Sequence, residues 1–154
     1  MMAEQLDMHL EALAKGIHED YRRNCPGTPY DLPWETLPEN IKDANRAQAR
    51  EFPGYLDAAG CGFGAAGSAP APVKAFTAEE TDRIARQAHR VWTDSKVADG
   101  WVYGPVRDNE RKIHPLLHMR WDDLAEEEKD KDREIARGMI PLLEAAGLQV
   151  FRKM

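Results

Sequence analysis

The chain has 154 residues, of which 42% are hydrophobic and 31% are charged, and its formal net charge is −6. This length and balance are those of one globular domain that can bury a core without metal or disulfide support. The negative charge argues against broad binding to nucleic acids or anionic membranes, because both require a basic face. A local basic cluster could still hold one small anion.

The cysteine content and the hydropathy pattern indicate a compartment. Cys25 and Cys61 lack the CxxC spacing, so we expect free thiols in a reducing environment. The sequence contains no apolar run of about 18 residues, and its start does not resemble a signal peptide. We therefore expect a cytoplasmic protein with no membrane partner.

Two helices are predicted in the first part of the chain. The first covers residues 3–23, because apolar side chains recur at spacings of three and four. These side chains are Leu6, Leu10, Leu13, Ile17 and Tyr21. The second covers residues 38–59 and closes at Gly60, a C-terminal capping glycine. Pro53 should kink or split this helix, because proline removes one backbone donor.

Residues 62–76 are rich in glycine, alanine and proline, and their composition predicts a linker. The third helix begins after Thr77, which forms a capping-box pattern with Glu80, and ends near Lys96. A fourth helix is predicted over residues 125–146, and residues 148–151 have strand character. The expected fold is therefore mainly α, with a few short β-strands.

The chain also repeats itself. His18 and Tyr21 align with His89 and Trp92 at an offset of 71, whereas Trp34 aligns with its counterpart, Trp121, at an offset of 87. The second copy therefore carries an insertion of 16 residues. We predict one domain built as a pseudo-two-fold pair of helix-loop-helix repeats. A shortened repeat covers residues 3–63, a linker covers residues 64–76, and a full repeat covers residues 77–151.

The insertion falls in the loop that contains GWVYGPVRDNERKIHP, residues 100–115. The first copy joins its helices without this segment, so the segment is not needed merely as a connection. We expect it to serve packing or ligand binding.

A distinctive set of residues recurs through the second half: His89, Trp92, Lys96, Gly100-Trp101, Tyr103-Gly104, Arg107-Asp108, Lys112, His114-Pro115, Trp121, Leu124, Glu126 to Lys129, and Asp132. With these residues the second half resembles the ryanodine receptor repeat, or RyR domain, and stand-alone prokaryotic or phage-type copies of it in particular. The resemblance implies a mostly helical, pseudo-symmetric pair of repeats. It also implies recognition of adenine nucleotides or ADP-ribose derivatives, with Trp92 at the site. The first half lacks the GWxYG and RD motifs, so functions tied to them are not expected there.

Four aromatic residues are candidates for base stacking. Trp92, Trp101 and Tyr103 are close in sequence, and Tyr21 occupies the position of Trp92 in the first copy. A purine could stack between Trp92 and Tyr21 in a cleft between the copies, since a stacked base contributes about 1–3 kcal/mol. The alternative for all four is ordinary core packing.

Polar residues of the insertion are candidates for phosphate and ribose binding. Arg107 and Lys112 could clamp phosphates, because arginine matches phosphate oxygens in a bidentate manner, or they could stabilise a solvated turn. Asp108 could accept hydrogen bonds from ribose hydroxyls or cap the turn through its own side chain. His114 could donate to a phosphate, act as a base, or have a structural role.

The leading hypothesis is a non-enzymatic sensor module for a nucleotide-type ligand, acting with an effector or partner protein. The alternative is a protein interaction module without a small ligand. An enzyme acting on a nucleotide or phosphoester, with Asp108 or His114 as base, is a third possibility. No Ser-His-Asp order, HExxH motif or paired Cys/His ligands are present, so we expect neither a metal nor another cofactor.

Overall fold

A computed structural model describes the backbone of residues 2–68, 71–117 and 119–153, and the side chains from residue 7 onward. The fold is mainly helical, as predicted. The elements in chain order are α1 (Met2–Asn24), α2 (Glu39–Arg50), α3 (Phe52–Ala58), β1 (Cys61–Ala65), α4 (Ala78–Ala98), β2 (Val102–Tyr103), β3 (Ile113–His114), α5 (Glu126–Ala145) and β4 (Leu148–Arg152). Single 3₁₀ turns lie at Trp34–Thr36 and Trp121–Asp123. The side chain of Leu6 lies outside the described residues.

The chain forms two compact units. The first contains the residues up to Ala75 together with those from Gly138 onward, and the second is Phe76–Arg137. This division differs from the predicted halves at the C-terminus. β4 pairs with β1, so the end of the predicted full repeat, residues 77–151, belongs to the first unit.

The first unit packs α1 against α2 and places the β1–β4 ribbon beside them. Its core includes fully buried Leu13, Leu56 and Leu148. The predicted break in the second helix is confirmed: α2 ends at Arg50, and Pro53 lies in the first turn of α3, where its missing N–H leaves no helical hydrogen bond unmade.

The prediction of a linker over residues 62–65 is wrong, because these residues belong to β1, which is antiparallel to β4. Phe63 is buried. Gly62 lies against the ring of Phe151, where an added Cβ would be only 2.9 Å from the ring. Close packing within a strand therefore accounts for Gly62 better than a flexible linker does.

The second unit is built on α4, which begins at the predicted capping box. The Thr77 hydroxyl accepts from the Glu80 N–H (3.1 Å), and the Glu80 carboxylate accepts from the Thr77 N–H (2.8 Å). Ile84, Leu117 and Leu124 form part of the buried core of this unit. In the inserted loop, β2 pairs in parallel with β3.

Contacts inside each unit reproduce the internal repeat. His18 stacks on Tyr21 with a centroid distance of 6.2 Å, and His89 stacks on Trp92 with a distance of 6.0 Å. Each histidine also donates through Nε2 to a backbone carbonyl, since a carbonyl can only accept; the acceptors are Leu32 and Met119, which are 87 positions apart. The repeat is therefore present in the side-chain contacts as well as in the sequence.

None of the helices in the described part of the chain is long and apolar enough to cross a membrane.

Candidate ligand-binding site

A pocket with a volume of about 330 Å³ lies within the second unit. It is formed by α4, the inserted loop and the start of α5. Its lining residues are His89, Trp92, Lys96, Arg107, His114, Leu116, Leu124, Glu128, Lys131 and Asp132. This volume is at the lower end of the roughly 300–1,000 Å³ range of small-molecule sites. The pocket combines an aromatic surface with charges of both signs.

Trp92 provides the aromatic surface of this pocket. Its ring is held between two histidines: His89 stacks nearly parallel to it (17°), and the edge of His114 meets it at 4.9 Å and 76°. His89 is itself fixed by its hydrogen bond to the Met119 carbonyl (3.0 Å). Trp92 nevertheless remains partly exposed. The indole is therefore oriented before any ligand arrives and retains accessible surface.

Three cationic side chains line the same pocket. Lys96 follows Trp92 by one helical turn, and its ammonium lies 4.5 Å from the centroid of the Trp101 ring. Arg107 donates through Nε to Asn109 (3.0 Å) and makes no ion pair with any described residue. Lys131 pairs with Glu128 (3.1 Å). The Arg107 guanidinium thus has donors left for an anion.

His114 is 8% exposed and packs between the rings of Trp92 and Trp101. Its Nδ1 accepts from the backbone N–H of Leu116 (3.1 Å), so the neutral ring carries its proton on Nε2. Burial lowers the pKa of His114, and the nearby charges of Arg107 and Lys96 lower it further. These contacts support a structural role for His114 as a neutral ring packed beside Trp92.

Glu128 and Asp132 on α5 are the acidic residues of the pocket, and Glu128 is engaged by Lys131. Burial raises the pKa of the Asp132 carboxyl to about 6, with a smaller opposing effect from His89. Among the described residues, Asp132 has no hydrogen-bond or salt-bridge partner. A half-buried carboxyl without a partner is suited to accept hydrogen bonds from a ligand hydroxyl or amine.

The structure places two of the predicted aromatic residues outside this pocket. Trp101 donates its indole N–H to Asp99 (3.3 Å) and lies behind Lys96 and His114. Tyr103 is 58% exposed and lines a separate depression with Leu117. Trp101 therefore supports pocket residues, and Tyr103 contributes to the outer surface of the loop.

Two predicted polar residues hold the loop in shape. The Asp108 carboxylate accepts from the Arg111 N–H (3.1 Å), which is the turn-capping alternative considered for this residue. Lys112 has a positive φ of 56° and donates through Nζ to the Asp99 carbonyl (2.8 Å). Neither side chain lines the pocket of the second unit.

Tyr21 lies in a different pocket, which the first unit forms by itself. Its hydroxyl hydrogen-bonds the hydroxyl of Thr28 (2.6 Å). Trp92 and Tyr21 thus occupy corresponding places in two separate pockets.

Lys96, Lys131 and Asp132 line the pocket but were not among the predicted site residues. Lys96 could have been predicted from the sequence, because it follows Trp92 at the i+4 spacing that brings two helical side chains to one face. Lys131 and Asp132 belong to a highly charged segment whose composition is typical of a solvated helix face. Only the tertiary structure shows which of its residues face a pocket.

The RyR domain family matches residues 73–152, which is more than half of the chain. This range includes the whole pocket of the second unit. The chain therefore belongs to the RyR domain family. Within the residues that the structure describes, no cluster of three or more His, Cys, Asp or Glu side chains is arranged to hold a metal ion.

Proposed function

We propose that this protein is a non-enzymatic module that binds a nucleotide-type small ligand, an adenine nucleotide or an ADP-ribose derivative, in the pocket of the second unit. One observation carries the proposal. A pre-oriented tryptophan, an arginine without an ion-pair partner among the described residues and two lysines line the same pocket. This combination matches a flat base attached to phosphate.

Trp92 is the proposed base-stacking residue. Its ring is already fixed by His89 and His114, so little side-chain entropy is lost when a base stacks on it. A stacked base contributes about 1–3 kcal/mol, which corresponds to roughly a 5- to 150-fold change in affinity.

Arg107, Lys96 and Lys131 are the proposed phosphate-binding residues. Arg107 presents a planar set of N–H donors, whereas the two lysines act as point charges. Asp132 would accept from ribose hydroxyls or from the amino group of the base. Different parts of the ligand would therefore contact the cationic and the anionic side chains.

A module of this kind converts binding into a signal only through another component, so the proposal includes an effector or partner protein. It also includes the cytoplasmic location expected from the two cysteines, neither of which forms a disulfide bond with a described residue.

The test is a titration of the purified protein with ATP, ADP, AMP, ADP-ribose and cyclic ADP-ribose. Tryptophan fluorescence and melting temperature are followed together. We expect a saturable response to at least one ligand, a loss of about 10-fold or more in affinity for Trp92→Ala, and a smaller loss for Arg107→Ala.

A matched control is Arg86→Ala, because Arg86 lies on the same helix but outside the pocket, in an exposed ion pair with Asp122. This variant should bind as the wild type does. No response to the whole panel, or equal affinities of the wild type and Trp92→Ala, would contradict the proposed function.

A second candidate function is docking of a protein partner by the inserted loop. Val102, Tyr103 and Val106 are 54%, 58% and 75% exposed, which is unusual for apolar residues so close in sequence. The doubly substituted Tyr103→Ser, Val106→Ser protein tests whether this loop surface contributes to nucleotide binding, because neither residue lines the pocket. If the pocket is the functional site, this protein binds nucleotide with unchanged affinity.

A further inference from the structure

The first unit contains a pocket of its own, with a volume of about 390 Å³. It lies between α1, the loop after α1, and α2. Its lining residues are Ile17, His18, Asp20, Tyr21, Tyr30, Ile41, Ala44, Asn45 and Gln48. No separate site was predicted from the sequence for this part of the chain.

This pocket has the framework of the second-unit pocket. His18 stacks on Tyr21 as His89 stacks on Trp92, and the interplanar angles are 25° and 17°. The hydrogen bond from His18 Nε2 to the Leu32 carbonyl (2.6 Å) holds the imidazole ring in this orientation. An oriented aromatic ring therefore lines each pocket.

The charges of the two pockets differ at corresponding positions. Ala44 and Asn45 of α2 replace Lys131 and Asp132 of α5 at the repeat offset of 87. No lysine or arginine is among the described residues that line the first-unit pocket. Its one carboxylate, Asp20, is engaged by Arg23 (3.2 Å). A phosphate group would have no cationic partner among these lining residues, whereas an uncharged ligand would not lie beside an unpaired charge.

Asn45 supplies a directional polar group. It is 9% exposed and lines the pocket, and its amide N–H₂ donates to the Ile41 carbonyl one turn earlier (3.2 Å). A primary amide has a second N–H and a carbonyl oxygen in addition. These two groups form a donor–acceptor pair, which is the pattern that an amide presents to the edge of a base.

We propose that the first-unit pocket is a second binding site, for an uncharged planar heterocycle of the nucleobase or nucleoside class. Tyr21 and the half-exposed Tyr30 contact the faces of the ring, and Asn45 hydrogen-bonds its edge. This inference rests on the first unit alone, so it does not require that the second-unit pocket binds a nucleotide.

The experiment is a titration of the full chain with adenosine, guanosine, cytidine and uridine by calorimetry. Asn45→Leu is the test variant, because it keeps the number and branching of the side-chain heavy atoms and replaces the amide by methyl groups. Asn40→Leu makes the same chemical change at an exposed position of α2 outside the pocket. We expect one nucleoside to bind with one equivalent, with an affinity about 10-fold weaker in Asn45→Leu and unchanged in Asn40→Leu.

Two further variants locate the site. Nucleoside binding should survive Trp92→Ala, since Trp92 belongs to the other pocket. Ala44→Lys introduces the cation found at the corresponding position of the second unit. This variant should bind the 5′-monophosphate of the same nucleoside about 10-fold more tightly than it binds the nucleoside itself.

Three outcomes would overturn the proposal: no nucleoside binding at millimolar concentration, equal binding by Asn45→Leu and the wild type, or loss of nucleoside binding in Trp92→Ala. Failure of the nucleotide titration proposed for the second unit would leave the nucleoside result unaffected, so the two proposals fail separately.

Discussion

At the scale of single residues, the second-unit pocket contains two carboxyl groups: Glu128 pairs with Lys131, whereas Asp132 lies near His89 without an ion-pair partner among the described residues. Burial is the largest cause of its raised pKa, and none of the described residues forms an ion pair with it. The residue therefore retains the capacity to bind a ligand, and the protein loses stability when this carboxyl ionises.

The first prediction concerns stability against pH. The pKa of Asp132 is raised from 3.8 to about 6 in the folded protein. Because the folded state binds this proton more tightly, the contribution of Asp132 to stability falls as pH rises from about 4 to about 6. Asp132→Asn should therefore gain melting temperature relative to the wild type across that window and keep the gain at pH 7.

The measurement is the difference in melting temperature between variant and wild type at intervals from pH 4 to pH 7. Asp123→Asn, at an exposed carboxylate of the same unit, is the control for the loss of one negative charge. A constant difference for Asp132→Asn across the window would show that the carboxyl is not destabilised by burial.

The second prediction concerns the protonation of His114. Its Nδ1 accepts from the Leu116 N–H, and burial lowers its pKa below the usual 6.5. We expect a neutral ring at pH 7 with the proton on Nε2. Long-range ¹H–¹⁵N NMR of the imidazole measures this directly. A proton on Nδ1, or a titration midpoint above 6.5, would be inconsistent with these contacts.

At the scale of elements, helix ends are set by local chemistry that is visible in the sequence. The Thr77–Glu80 capping box begins α4, and glycines with positive φ follow α3 and α5, at Gly60 (74°) and Gly147 (87°). These signals act over a few residues, so they do not depend on the tertiary structure.

The third prediction tests the start of α4. Thr77→Ala removes the hydroxyl that accepts from the Glu80 N–H, and it should lower the free energy of unfolding by about 1 kcal/mol. Thr77→Ser keeps an equivalent hydroxyl and should cost much less. Urea denaturation of the two variants provides the comparison, and equal losses would show that the capping hydrogen bond contributes nothing.

The fourth prediction compares two glycines. An added Cβ at Gly60 or at Gly138 would meet no atom within 4 Å, so only the backbone distinguishes them. Gly60 has φ 74°, and Gly60→Ala should destabilise the protein by about 1–2 kcal/mol. Gly138 lies inside α5, and Gly138→Ala should raise the free energy of unfolding of the protein by about 0.5–1 kcal/mol. If chemical denaturation gave both changes the same sign, backbone conformation would not be the property that separates the two glycines.

The elements that sequence reasoning predicted well are those with local signals: the four helical segments, the break at Pro53 and the C-terminal strand. It failed at β1, because the glycines at positions 62 and 64 suggested flexibility, whereas they lie in a strand close to the side chains of Phe151 and Ser68. Long-range packing such as that of Phe151 leaves no periodic pattern in five residues.

Part of the candidate site, like part of the fold, could be predicted from the sequence. Trp92, Arg107 and His114 were named from the sequence, and the structure brings all three to one pocket. Lys131 and Asp132 were not predicted as site residues, although Asp132 belongs to the family pattern, because a run of alternating charges does not reveal which side chains face inward.

At the scale of the whole molecule, the chain presents one framework twice with different charges. The second unit adds the inserted loop and thereby gains Arg107 and His114 at its pocket, while the first unit retains the stacked histidine and aromatic ring without cations among the described lining residues. The net charge of −6 disfavours large polyanions. Together these features favour a small anion at a local cationic site, with binding that weakens as salt screens the exposed charges.

The most direct test of the central claim is a ¹⁵N NMR titration of the full chain with ADP-ribose, which locates binding residue by residue. We expect the largest shifts at the Trp92 indole, at the Arg107 side chain and at the backbone of residues 128–132, whereas Tyr21 and Asn45 stay unchanged because no cation lines the described part of their pocket. Shifts confined to the first unit, or no shifts at millimolar ADP-ribose, would contradict the claim that the second-unit pocket recognises this ligand.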